Sequence, residues 1–208
     1  RMGLNLITAQ EILNNFNLKT LSDIIRVFGD EKESFRIAKN IIEQRKKKPI
    51  GSIPDLVNII KRSKKKDFKK KINISTQTFQ AIRIFVNKEI SELIEGLIKA
   101  SKFLKSGGKI VVVSFHSIED RIVKFFFSNF SESRSRGSRY YPDTDQGKIL
   151  FKNYKNRIIK ATEKEIVINK SSRSAKLRFA TRSKDDFFYP TDFKNKFFNY
   201  LELENRHV

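Results

Sequence analysis

Residues Ile110 to Val113 form a continuous apolar run in which every side chain is β-branched. A run of this kind reads as a strand buried on both faces. Such a strand cannot stand alone: it needs paired neighbours and cover above and below, so the chain must build or join a sheet. Within seven positions of the run come Ser114, Phe115, His116, Ser117, Glu119 and Asp120. In open α/β sheets, ligands collect beyond the carboxyl ends of the strands. The cluster therefore falls where chemistry is expected.

It also has a plainer reading. Ser117 with Asp120 has the form of a helix N-cap, and His116 can pack or hydrogen-bond locally. From the residues alone both readings stay open. A hydrolase triad is disfavoured, because Ser117 lacks the flanking glycines of a nucleophile elbow and the second of the two histidines is the distant His207. One histidine beside two helix-start carboxylates is a poor basis for a metal site, and none is expected. Gly107-Gly108 precede the strand, whereas a phosphate-binding glycine loop follows one.

The segments before the strand read as helices. Thr8 to Glu11 is a capping box leading to Ile12, Leu13 and Phe16. Thr20 is the expected cap of a second helix ending at Gly29. A third, from about Glu31 to Lys48, is expected to bury Phe35, Ala38, Ile41 and Ile42, and a fourth starts at Ser52 with Pro54 in its first turn. Phe79, Ile82, Val86, Ile90, Leu93 and Leu97 step by three or four, predicting one long helix from Thr76 to Leu104. After the strand, Ile122, Val123, Phe126, Phe127 and Phe130 give a further amphipathic helix. Residues 131–156 read as loop, Arg157 to Ile159 and Ala175 to Thr181 as short strands, and Thr162 to Glu165 as another helix start. From Lys184 onward no element is assigned.

Composition narrows the function. The 208 residues carry a net charge of +21, contain no cysteine, and include no apolar run long enough to span a membrane. Disulfides and thiolate metal sites are excluded, and a cytoplasmic location is expected. The charge points to nucleic acid, with part of it attributable to a Lys-, Asn-, Ile- and Phe-rich composition of the kind an AT-rich genome produces. It is nonetheless clustered: Lys61 to Lys71 hold eight basic residues, a tract that reads equally as a solvated linker or as a phosphate contact. The candidate phosphate contacts are Arg45, Lys46, Lys47, Lys48, Lys64, Lys65, Lys66, Arg134, Arg136 and Arg139.

"SFHSIEDRIVKFF" (114–126), "TQTFQAIRIFVNKEISEL" (76–93), "SSRSAKLRFATR" (171–182) and "FGDEKESFRIAKNII" (28–42) together resemble the MraW/RsmH family. Members of that family are S-adenosylmethionine-dependent methyltransferases acting on the exocyclic amine of a cytidine in bacterial small-subunit ribosomal RNA. The likeness covers most of residues 1–182. Gln77 and Lys170 depart from the pattern, and the tail from Lys184 matches none of it.

The resemblance implies an α/β chain: the C-terminal half of a Rossmann-like class I methyltransferase sheet plus a small all-helical insertion domain. The expected boundaries are residues 1–74 for the helical, substrate-recognising part with its basic linker, 75–183 for the methyltransferase part and 184–208 for the tail. The chain opens on Arg1-Met2, and the family's glycine-rich cofactor loop falls before it. The expectation is thus an N-terminally truncated enzyme with no cofactor-binding residues of its own and ribosomal RNA as partner. Ser114, His116 and Glu119 are expected on the wall of the base pocket, with Asp120 mainly a helix cap. The rival reading is a non-catalytic RNA-binding module.

Overall fold

The computed structural model describes residues 7–64, 73–132, 148–152 and 154–206. It divides into two compact units, residues 1–91 with 199–208, and residues 92–198. No helix among the described residues is long and apolar enough to cross a membrane.

The first unit is helical. At the start of α1 (Ala9–Asn15) the Thr8 hydroxyl accepts the Glu11 N–H while the Glu11 carboxylate accepts the Thr8 N–H, as the capping box predicts. The cap of α2 (Leu18–Gly29) is Asn17, not Thr20: the Asn17 side chain accepts the Thr20 N–H, and Thr20 lies buried inside the first turn. Ser52 caps α4 (Ile53–Ser63) as expected. In α3 (Ser34–Lys47) the buried stripe is Ser34, Ile37, Ala38 and Ile41, which turns Phe35 outward to 61% exposure against expectation. Ile12, Phe16, Ile24, Phe28, Ile41, Ile60 and Phe85 form the core, with the Phe16 and Phe85 rings edge to face at 5.5 Å. Gly29 makes a close approach possible: a Cβ there would lie 2.6 Å from the Gln77 carbonyl oxygen.

The long helix expected from Thr76 to Leu104 is two helices, α5 (Thr76–Asn87) and α6 (Glu89–Phe103). Lys88 between them is left-handed, with φ of 50°. The break exposes the first N–H groups of α6, and a residue far along the chain satisfies them. Glu204 accepts from Ile90 N and Ser91 N at 2.9 Å each, and from the Ser91 hydroxyl. No local pattern around Lys88 announces this partner.

Glu204 is buried, and burial pushes its pKa up; the hydrogen bonds from Ser91 and Ile90 oppose this without cancelling it. A raised folded-state pKa means that this group's contribution to stability is full below the unfolded value of about 4.3 and is lost as pH rises through the folded value. Glu204→Gln keeps an acceptor for the N–H groups and removes the charge. The melting temperature of the variant minus that of the parent should therefore increase from pH 4 to pH 8. A difference that stays flat across this range would show that the carboxyl does not titrate there.

In the second unit, β4 (Lys176–Arg182) is the hub of the sheet. β1 (Lys109–Ser114) pairs along one of its edges, from Lys109 opposite Thr181 to Ser114 opposite Lys176. β2 (Phe151–Lys152) and β3 (Ile159–Lys160) pair with opposite ends of β4. Each ladder is antiparallel, so β1, β2 and β3 run in one direction and β4 against them. The fold is mixed α/β with a small antiparallel sheet.

The expectation that β1 is buried on both faces is corrected here. Ile110 and Ser114 are buried, while Val111 and Val113 are 57% and 48% exposed. The inner face of the sheet packs on α7 (Ser117–Asn129) through Ile118, Ile122, Val123, Phe126 and Phe127. The outer face carries Val111 opposite Phe179, and Val113 opposite Leu177, itself opposite Ile159. Val111, Val113, Phe179 and Ile159 are all exposed there, and no described strand pairs with the other edge of β1.

α8 (Glu163–Ile168) starts at Thr162, whose hydroxyl accepts the Glu165 N–H. The tail is ordered into α9 (Thr191–Lys196) and α10 (Phe198–Glu204). Phe193 is fully buried against Phe126, at 4.5 Å between ring centroids, and also meets Phe125, Phe130 and Phe197. The last segment, unreadable in the sequence, supplies part of the core.

Candidate functional site

The end of β1 passes into α7 through Phe115 and His116, and the cap is built one residue earlier than expected. His116, not Ser117, is the N-cap: its Nδ1 accepts the Glu119 N–H at 3.4 Å. In return the Glu119 carboxylate accepts from the N–H groups of Phe115, at 2.8 Å, and His116, at 3.3 Å. Because Nδ1 accepts, the proton of a neutral imidazole sits on Nε2. That nitrogen lies 3.3 Å from Glu119 Oε1 and is buried without a hydrogen bond of acceptable geometry. Burial raises the pKa of Glu119, but the contacts with His116 and the Phe115 N–H outweigh it and hold the carboxyl below its ordinary value. Ser114 is buried, and its hydroxyl donates to the Lys176 carbonyl at 3.3 Å.

Asp120, read from the sequence as mainly a helix cap, has another task. Arg178 donates to its carboxylate through Nε at 2.7 Å and through the second guanidinium arm at 3.3 Å, and Lys176 Nζ adds a contact at 3.2 Å. The remaining Arg178 nitrogen reaches Tyr154 Oη at 3.3 Å and Asn156 Oδ1 at 2.9 Å. Arg178 is 2% exposed. Burial opposes both charges, yet their attraction wins: Asp120 is held below and Arg178 above its ordinary pKa. The network ties the first turn of α7 to β4 directly behind the His116–Glu119 cap. Sequence reading missed it because its members lie up to 58 residues apart. The available signal was the parity of β4, which puts Arg178 and Arg182 on the same face as Ala180. Arg182 is buried too, held by the carbonyls of Ser101, Leu150 and Asp185 and by the Ser183 hydroxyl.

The expected phosphate contacts fall into three groups. Lys46, Lys47 and Lys48 are exposed at the end of α3. Arg45 and Lys64 are engaged internally. Arg45 donates to the carbonyls of Leu13, at 3.0 Å, and Phe16, at 2.7 Å, joining the end of α3 to α1. Lys64 pairs with the buried Glu31 and donates to the Ile74 carbonyl at 2.8 Å, so it belongs to the helical unit and not to a solvated linker. Lys65, Lys66, Arg134, Arg136 and Arg139 lie outside the described residues.

Comparison with known proteins agrees with the motif reading. The model of the MraW methylase family matches residues 1–183. Proteins named ribosomal RNA small subunit methyltransferase H are similar to this chain: that of Agrobacterium fabrum is 39% identical over 186 residues, 88% of this chain and 53% of the relative. That of Rickettsia massiliae is 45% identical over 184 residues (86% and 59%), and that of Parvibaculum lavamentivorans 38% over 183 (88% and 54%). The chain thus spans little more than half the length of the curated relatives it matches. With the match running unbroken from the helical unit through the β1–α7 turn to the end of β4, the chain belongs to the MraW methylase family.

Proposed function

We propose that the chain is the C-terminal part of an S-adenosylmethionine-dependent methyltransferase that modifies N4 of a cytidine in bacterial 16S ribosomal RNA, acting on the small ribosomal subunit in the cytoplasm. The observation that carries this reading is the family match together with the names of the relatives. The sheet supports it. β1 has an unpaired edge among the described residues and an exposed apolar outer face, the surface expected of a strand whose remaining neighbours belong to a larger Rossmann-like sheet. In this reading residues 1–74 recognise substrate, 75–183 complete the methyltransferase domain and 184–208 brace it.

S-adenosylmethionine does not fit the described residues. A dinucleotide- or nucleoside-binding turn needs glycines between a strand and a helix start, whereas Gly108 stands before β1, packed so that a Cβ would lie 2.6 Å from Leu104 Cδ1. The cofactor contacts are assigned to the part of the relatives' length that this chain does not span. What the chain supplies is the substrate side. Glu119 fixes the Phe115–His116 backbone, and the His116 Nε2–H is a donor suited to an acceptor on the cytosine edge, with Ser114 and Glu119 beside it on the pocket wall. Lys46, Lys47, Lys48, Lys65, Lys66, Arg134, Arg136 and Arg139 provide phosphate contacts; Arg45 and Lys64 would join them only by giving up their internal partners.

Two measurements test the reading. The 208-residue chain should show no micromolar binding of S-adenosylmethionine by calorimetry, and such binding would sink the assignment of the cofactor site. In a protein of the relatives' full length, His116→Ala should slow single-turnover methylation of 16S RNA about 100-fold, with a loss of about 1 kcal/mol in stability from the cap. A folded variant that keeps its rate would leave His116 as a cap alone.

A further inference from the structure

Between α3 and α4 the helical unit carries a depression of about 300 Å³ lined by Asn40, Glu43, Gln44, Lys47, Ile59 and Arg62. The four α3 residues follow helical spacing along one stripe, and Asn40 and Lys47 stand about 10 Å apart along the axis. Ile59 is a buried apolar wall. The groove is pre-organised: the Asn40 amide N donates to Ser63 Oγ at 2.7 Å, and Ser63 donates to the Ile59 carbonyl. This leaves Asn40 Oδ1 as an acceptor, while the Gln44 side chain has no partner among the described residues. Lys47 and Arg62 are exposed and form no ion pair with a described residue. Glu43, the acid of the lining, is 3.9 Å from Lys39 Nζ, which offsets part of its charge.

Two planar amides, an apolar wall and two exposed cations with no ion-pair partner among the described residues, on facing helices, form the donor–acceptor set of a nucleotide site. We propose that this groove is a second RNA contact, seating one single-stranded nucleotide. Its phosphates lie on Lys47 and Arg62, and its base edge meets Asn40 and Gln44. The groove rests on the reading that the partner is ribosomal RNA, and it extends that reading to a site in the helical unit.

The test is fluorescence anisotropy of the full chain with a labelled single-stranded oligoribonucleotide over a salt series. The paired substitution Lys47→Gln, Arg62→Gln should flatten the slope of log affinity against log salt by about 1.4, two contacts at about 0.7 each. Lys19→Gln with Lys32→Gln removes the same charge from exposed positions of the helical unit that do not line the groove, and should flatten it less. Gln44→Leu should leave the slope in place and reduce discrimination among the four homo-oligomers. Equal flattening by both pairs, an unchanged slope, or no RNA binding by the parent chain would each overturn the groove. Methylation by the full-length protein reports separately on the enzymatic reading. RNA binding without methylation would remove that reading and leave the groove, and methylation unaffected by the Lys47, Arg62 pair, with an unchanged slope, would do the opposite.

Discussion

Arg178→Met should cost the second unit about 3–5 kcal/mol, the range for stripping one partner from a buried ion pair. The variant leaves the Asp120 carboxylate with Lys176 as its one cationic partner among the described residues and removes the donor that Tyr154 and Asn156 share. Thermal melts followed by near-ultraviolet circular dichroism read the loss. Asp120→Asn added to Arg178→Met should recover part of it, because no bare charge then remains beside the apolar core. The parent network also sets an acid limit. With its pKa depressed in the folded state, Asp120 contributes stability that is complete above the unfolded value of about 3.9 and is lost as pH falls through the folded value. Arg178→Met should therefore destabilise less at pH 2 than at pH 7. A single variant that melts within about 1 kcal/mol of the parent at pH 7 would show that the network contributes little net stability.

Phe193→Ala should destabilise by about 3–5 kcal/mol, the usual cost of emptying a ring-sized space in a packed core. Phe193 lies beyond residue 183, where the family match ends, and yet it is fully buried among Phe125, Phe126, Phe130 and Phe197. Denaturant titration gives the magnitude. The companion Phe198→Ala, at a ring that is 59% exposed, should stay within about 0.5 kcal/mol. If the two variants proved equally mild, the tail would be an appendage to the fold and not part of it.

What could be read from the sequence followed from how far each determinant reaches along the chain. Thr8, Ser52 and Thr162 announced their helices because a cap acts over three residues. The final strand was legible from its alternation, and the order of the motifs pointed to the family. The break at Lys88 was not legible: the stripe from Phe79 to Leu97 continues through it, and the group that stabilises the new helix start is Glu204, some 114 residues away. The same limit hid the Asp120–Arg178 pair. It also misplaced the α7 cap, since His116 and Ser117 are both able to accept from the first turn and only the backbone path out of β1 decides between them. Ile110 to Val113 misled in a further way. Composition tells that a strand is fit for burial on both faces, not that the chain at hand covers both.

The hub position of β4 has a consequence for the birth of the protein. Each ladder of the sheet runs through this strand, and the hydrogen bond from Ser114 to Lys176 spans 62 residues. At a translation rate of about 5–20 residues per second, β1 leaves the ribosome roughly 3–12 s before its partner does. Throughout that interval the edge of β1 that meets β4 has no partner, while α7 can already shield one face of the strand. The nascent chain is then most open to aggregation, and a chaperone that binds short apolar segments would find its target at residues 110–115.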